Sequence, residues 1–179
     1  MVWPMVRARV LATMIALAVS AGAPPAAAAS GPTPSQVRAA VAAARTSRNL
    51  WATINVCTPR RAPHALGVRG QMPALGFPAA LTEVIQVQYW SKAKHRFLDV
   101  PGVDARALVR LGQVTAGLEQ GGHDFAFAPH AGLLRAVVTF QWRRAGRLLL
   151  SLSRTTVAGH PAADNGIPAH FSAATCRVK

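Results

Sequence analysis

The chain has 179 residues, is 51% hydrophobic and only 15% charged, and holds two cysteines. That is enough chain for a proper core, and two widely spaced cysteines without a CxxC or CxxH partner give poor support to a cysteine-based metal site. The formal net charge of +14 favours anionic partners: phosphate polymers, acidic glycans, anionic lipid head groups or nucleic acid. Only three of the cations are lysine, and alanine, glycine and proline are abundant. The coding bias of a GC-rich genome produces the same pattern without any ligand.

The N-terminus reads as a secretory signal. Arg7 and Arg9 precede the apolar run Val10–Val19, and a proline-broken stretch of small residues ends in Ala27-Ala28-Ala29. These are the basic, apolar and cleavage regions of an export signal. The run is shorter than the ~20 residues of a membrane span. A retained anchor is the competing reading. Cleavage after Ala29 would leave about 150 residues, one domain's worth, with all six acids and all but two of the Lys and Arg. The expected division is a signal over 1–29, a linker and short helix over 30–48, and one β-domain over 49–179.

Thr33-Pro34-Ser35-Gln36 has the form of a capping box with proline at the first helical position. Val37, Ala40, Val41 and Ala44 follow at helical spacing, with Arg38 and Arg45 on another face. This short amphipathic helix could dock on the domain or lie on an anionic membrane surface, though its apolar face is mostly alanine.

From Asn49 the period changes to two. Candidate strands are Leu50–Cys57, Leu66–Met72, Leu81–Trp90, Arg96–Val100, His123–Ala128, Leu134–Arg143, Arg147–Val157 and Phe171–Val178. Leu134 to Arg143 is the clearest, with Leu134, Ala136, Val138, Phe140 and Trp142 on one face. Arg144-Ala145-Gly146-Arg147 makes a tight turn into its hairpin partner, where Leu148, Leu150 and Leu152 face in. Val103–Leu111 is read as a helical turn within a connection. In Leu50–Cys57 both faces carry residues that want burial, which calls for cover on both sides or a bulge. Eight short strands with little helix between them predict an all-β, antiparallel sandwich of about 7–8 strands with a short N-terminal helix.

The segments NLWATINVC (49–57), LRAVVTFQWRR (134–144) and SAATCRV (172–178) resemble a group of uncharacterised secreted proteins of high-GC Gram-positive bacteria. The resemblance covers most of residues 48–179. It implies an immunoglobulin-like sandwich with one cysteine in the first strand and one in the last, and it brings no known activity. Independently, Cys57 and Cys176 are expected to pair because an oxidising compartment makes pairing the default.

No arrangement of residues amounts to an active site or a cofactor box. The six histidines (64, 95, 123, 130, 160, 170) form no HExxH or close HxH pair. The acids Glu83, Asp99, Asp104, Glu119, Asp124 and Asp164 are isolated, Asp104 reading as a helix cap and Asp124 as a strand-edge or turn acid. There is no GxSxG. A sugar-binding platform would need exposed rings; only Trp51 and Trp90 have an ambiguous face, and core packing is the reading favoured for both. The basic clusters stand out: Arg60-Arg61, then Lys92, Lys94 and Arg96, then Arg143, Arg144 and Arg147. Strand counting puts the first two at one end of the sandwich and the third at the other. Arg60, Arg61, Lys92 and Lys94 are therefore the candidate anion-binding residues, with solvated loop cations as the plain alternative.

The function expected is a secreted or cell-surface, non-enzymatic module binding an anionic envelope polymer or a protein partner. Nucleic acid fits that compartment poorly. The mature chain carries no transmembrane span, cofactor or metal in this reading. The alternatives are a secreted hydrolase whose site forms only in three dimensions, and a structural exported protein without a small ligand.

Overall fold

The computed structural model describes residues 31–179. The expected export signal lies outside them. The chain first forms helix α1 (Pro34–Thr46). The Thr33 hydroxyl accepts the Gln36 amide at 3.3 Å, and the Gln36 side chain accepts the Thr33 amide at 2.7 Å. This closed capping box satisfies amides that a helix start otherwise leaves open. Ala44 is buried, and Val37, Ala40 and Val41 pack on the core. The helix is thus docked on the domain. Among the described residues no helix is long and apolar enough to cross a membrane.

Nine strands follow: β1 (Trp51–Cys57), β2 (Ala65–Pro73), β3 (Ala79–Ser91), β4 (Arg96–Asp99), β5 (Arg106–Val114), β6 (Leu118–Ala126), β7 (Gly132–Arg144), β8 (Arg147–Thr155) and β9 (Cys176–Val178). One antiparallel sheet has the order β1-β2-β6. In the other, β3 and β7 are central. β4 and β5 pair one side of β3, and β8 and β9 pair the far side of β7. Inward alternation on both sheets supplies the core, with Ile54, Leu66, Val68 and Met72 from the small sheet and Leu81, Ile85, Val87, Val138, Phe140 and Trp142 from the large one. The Trp142 indole ties the layers together by donating to the Pro73 carbonyl at 2.8 Å. The architecture is the expected all-β sandwich.

Four local expectations are corrected. The last strand is Cys176–Val178 rather than Phe171–Val178, because β7 offers it only Gly132–Leu134 as partners. Only Val103–Ala105 form a helical turn, and Asp104 makes no capping bond there. The residues after it are strand β5, because Ala107, Val109 and Leu111 alternate inward against exposed Arg106, Leu108 and Arg110. Strand β6 begins at Leu118 rather than His123, since β2 offers a full-length partner from Ala65 to Pro73. Leu148 does not face in. A register shift between Trp142 and Arg143 puts it out of phase with Leu150 and Leu152 and leaves it 43% exposed. The turn before it is as expected, with Ala145 and Gly146 both at positive φ, the requirement of a two-residue hairpin.

The doubly buried first strand has a clear cause. Both expected devices are present: β1 carries a bulge between Ile54 and Val56, and its outer face is covered. The chain between β8 and β9 returns across the small sheet. His160 stacks on Trp51 at 4.5 Å, Thr53 bonds Ser172, and the Asn55 amide donates to the Asp164 carbonyl. Arg69 donates to the same carbonyl, and Gln120 donates to that of Ala162. The same segment exchanges backbone bonds with Ile54 and Asn55, which blunts the free edge of β1. Cys57 and Cys176 form a disulfide with Cα atoms 5.6 Å apart, joining the first strand to the last.

Candidate functional site

The polar features of interest fall in three places: one end of the sandwich, its interior, and the opposite end. At the first end, β1 stops at Cys57 and the chain turns through Arg60 and Arg61 before β2. Cys57 is bonded to Cys176, Cys176 pairs with Leu134, and Leu134 pairs with Tyr89 near the end of β3. The ends of β1 and β3 therefore share one end of the sandwich. The β3–β4 hairpin carries Lys92 and Lys94 there, braced by a bond from the Lys94 amide to the Ser91 hydroxyl. Arg60, Arg61, Lys92, Lys94 and Arg96 are all exposed.

Trp90 belongs to this end and corrects the expectation of a core tryptophan. It is 38% exposed, against 8% for Trp51. Alternation along β3 turns Leu81, Glu83, Ile85 and Val87 inward, so Trp90 falls on the outer face. It meets Phe97 edge-on at 5.2 Å, and the Arg135 guanidinium sits 4.1 Å from the Phe97 ring centre. A partly exposed ring thus adjoins the cationic hairpin.

In the interior lies Glu83, 0% exposed, and neither of its carboxylate oxygens accepts a hydrogen bond from any described residue. It is held between the sheets beneath the register pair Gly70 and Gly121. A Cβ on Gly70 would come within 2.8 Å of its Oε1, and one on Gly121 within 2.9 Å of its Oε2. The two glycines make room for the carboxyl. Burial pushes its pKa up to about 7, against the lowering effect of Arg69. Glu83 was legible only as an isolated acid, yet its phase with Leu81, Ile85 and Val87 was the signal that it points inward. His160, stacked on Trp51, has its pKa lowered by burial. Glu83 faces the core side of the small sheet and His160 the outer side, so the sheet separates them. Among the described residues no three His, Cys, Asp or Glu cluster in a way that could hold a metal.

At the opposite end, Arg143 pairs with Ala80 at the start of β3. The β7–β8 turn therefore lies away from Lys92 and Lys94. Arg144 and Arg147 border a groove of about 770 Å³ between this hairpin and α1.

No family model matches the chain, and no curated protein matches it. Among solved structures it is similar to Bacteroides uniformis beta-glucuronidase 2 covalently bound to cyclophellitol-6-carboxylate aziridine, at 15% identity and a TM-score of 0.33. That similarity covers 62% of this chain and 13% of the other.

Proposed function

We propose that this chain is a secreted or cell-envelope-associated, non-enzymatic β-sandwich module that binds an anionic polymer at the end carrying Arg60, Arg61, Lys92 and Lys94. The observation that carries the reading is that two connections far apart in sequence bring four exposed cations to one end of a disulfide-closed sandwich. Like charges gathered in this way repel one another, and a polyanion relieves that repulsion while releasing its own counterions. Trp90, partly exposed at the same end, is a ring on which a sugar can stack, which favours an acidic glycan over a plain polyphosphate. The disulfide fits an oxidising compartment. It also supports grouping the chain with the secreted immunoglobulin-like proteins that it resembles. A hydrolase would need its shifted acid and histidine in one pocket, and a sheet lies between Glu83 and His160.

The test is retention on immobilised heparin and on immobilised polyphosphate over a salt series. Replacing Arg60, Arg61, Lys92 and Lys94 together by alanine should lower affinity and flatten the salt dependence, each lost contact removing on the order of 0.7–0.9 from the log–log slope. Trp90→Ala should weaken heparin binding while leaving polyphosphate binding unchanged. Retention unaltered in the quadruple variant would reduce these four residues to solvated loop cations.

A further inference from the structure

The groove at the far end of the sandwich is built differently from the cationic end. Its helical wall is the stripe Pro34, Arg38, Val41 and Arg45, which runs beside the core-facing side of α1. Its other wall is the β7–β8 turn with Leu148 and Leu149. The register shift in β8 is what turns Leu148 out of the core and into this groove. Arg154 of β8 donates to the Arg45 carbonyl at 3.3 Å and ties the last turn of α1 to the sheet. At about 770 Å³ the groove falls within the ~300–1,000 Å³ range of small-molecule sites.

The charge around this apolar floor is of one sign. Arg38, Arg45, Arg144 and Arg147 line the groove, and none of the chain's six acids does. The Arg144 head is held: it lies 5.8 Å from the Phe77 ring centre and against Gly31, where a Cβ would collide with it. Arginine stems lie along apolar surface while their heads stay at the rim, so these residues both extend the floor and charge its edge. An apolar trough with a guanidinium rim matches a ligand that has an apolar tail and an anionic head.

We propose that the groove between α1 and the β7–β8 hairpin binds a single-chain anionic amphiphile of the long-chain acyl carboxylate class, its tail along Val37, Val41, Leu148 and Leu149 and its head on the arginines. Two other occupants fit less well. A second copy meeting this groove symmetrically would set its four arginines against the same four. A bilayer surface is broad, whereas the apolar residues here line a concavity between a helix and a hairpin.

The experiment titrates the full chain with a polarity-sensitive fluorescent fatty acid, dansylaminoundecanoate, and displaces it with laurate or with the uncharged alcohol of the same length. Saturable binding with a blue-shifted emission is expected, with laurate displacing the probe at least about tenfold more effectively than the alcohol, the scale of a charge-assisted contact. The pair Arg38→Gln and Arg147→Gln should weaken laurate about tenfold and leave the alcohol unchanged. Ala42→Trp, at an exposed helix position lining the groove, should block both. Absence of saturable binding, or equal displacement by laurate and alcohol, would overturn the proposal, and that comparison needs no variant. So would undiminished probe binding in a folded Ala42→Trp chain. Capture by anionic vesicles that laurate does not compete, and that Arg38→Gln with Arg147→Gln abolishes, would assign the face to a membrane, and self-association that the same pair abolishes and laurate does not disperse would assign it to a second copy; either result overturns it.

Discussion

Replacing Glu83 by glutamine should remove a pH dependence that the folded protein otherwise carries. Glu83 is fully buried, and desolvation raises its carboxyl from 4.5 to about 7. Below pH 4.5 the group is neutral in both the folded and the unfolded chain. Between 4.5 and about 7 the unfolded chain gives up the proton while the folded chain keeps it, so stability falls as pH rises. Above about 7 the loss is complete, and at ~1.4 kcal/mol per unit it amounts to about 3 kcal/mol. Glutamine has nearly the same shape and does not ionise. Urea unfolding of the wild-type and Glu83→Gln chains, followed from about pH 5 to about pH 8, should show a wild-type stability that declines across the window and a variant curve without that component. An amide left without partners between the sheets costs about 1–3 kcal/mol, but that cost is the same at every pH. Arg69→Gln provides the converse, because removing the nearby positive charge should deepen the decline. Parallel pH curves for wild type and Glu83→Gln would refute the reasoning.

Three further perturbations follow from the same packing. Gly122→Ala should destabilise the domain by about 3 kcal/mol or more, because its Cβ would overlap the Val68 carbonyl oxygen, a backbone atom that cannot step aside; a urea midpoint within experimental scatter of wild type would contradict this. The double variant Cys57→Ser with Cys176→Ser reopens a loop of 119 residues and should cost about 2–5 kcal/mol, read as a lower thermal midpoint. An unchanged midpoint would mean that the bridge does not constrain the unfolded chain. Thr33→Ala removes one half of the capping box and should cost about 1 kcal/mol, measured by urea unfolding and by helical circular dichroism. No change in either would show that docking of Val37 and Val41 alone sets the helix.

Where the signal is local, the sequence was enough. The capping box at Thr33, the period-two strand from Leu134 to Arg143, and the Ala145-Gly146 turn each follow from residues within a few positions of one another, and short-range sterics and hydrogen bonding decide them. The pairing of Cys57 with Cys176 followed from chemistry and from the compartment the N-terminus leads one to expect, rather than from geometry. The gathering of Arg60, Arg61, Lys92 and Lys94 at one end followed from counting strand reversals. Other features depended on which strands became neighbours. β5 alternates Ala107, Val109 and Leu111 inward, but the signal is broken by Arg106, Leu108 and Arg110 and the pairing along β3 completes it as a strand. The outer face of β1 is buried only because the segment after β8 crosses it, and nothing within 51–57 names that segment. Trp90 is exposed and Leu148 faces a groove because alternation and a register shift put them off the core faces of their strands. Glu83 stood in phase with an apolar series, which says that it points inward; that it would meet two glycines and no hydrogen-bond partner is a property of the opposing sheet. Composition and periodicity report the environment a residue wants, whereas the partners it receives are set by contacts between segments up to 120 residues apart.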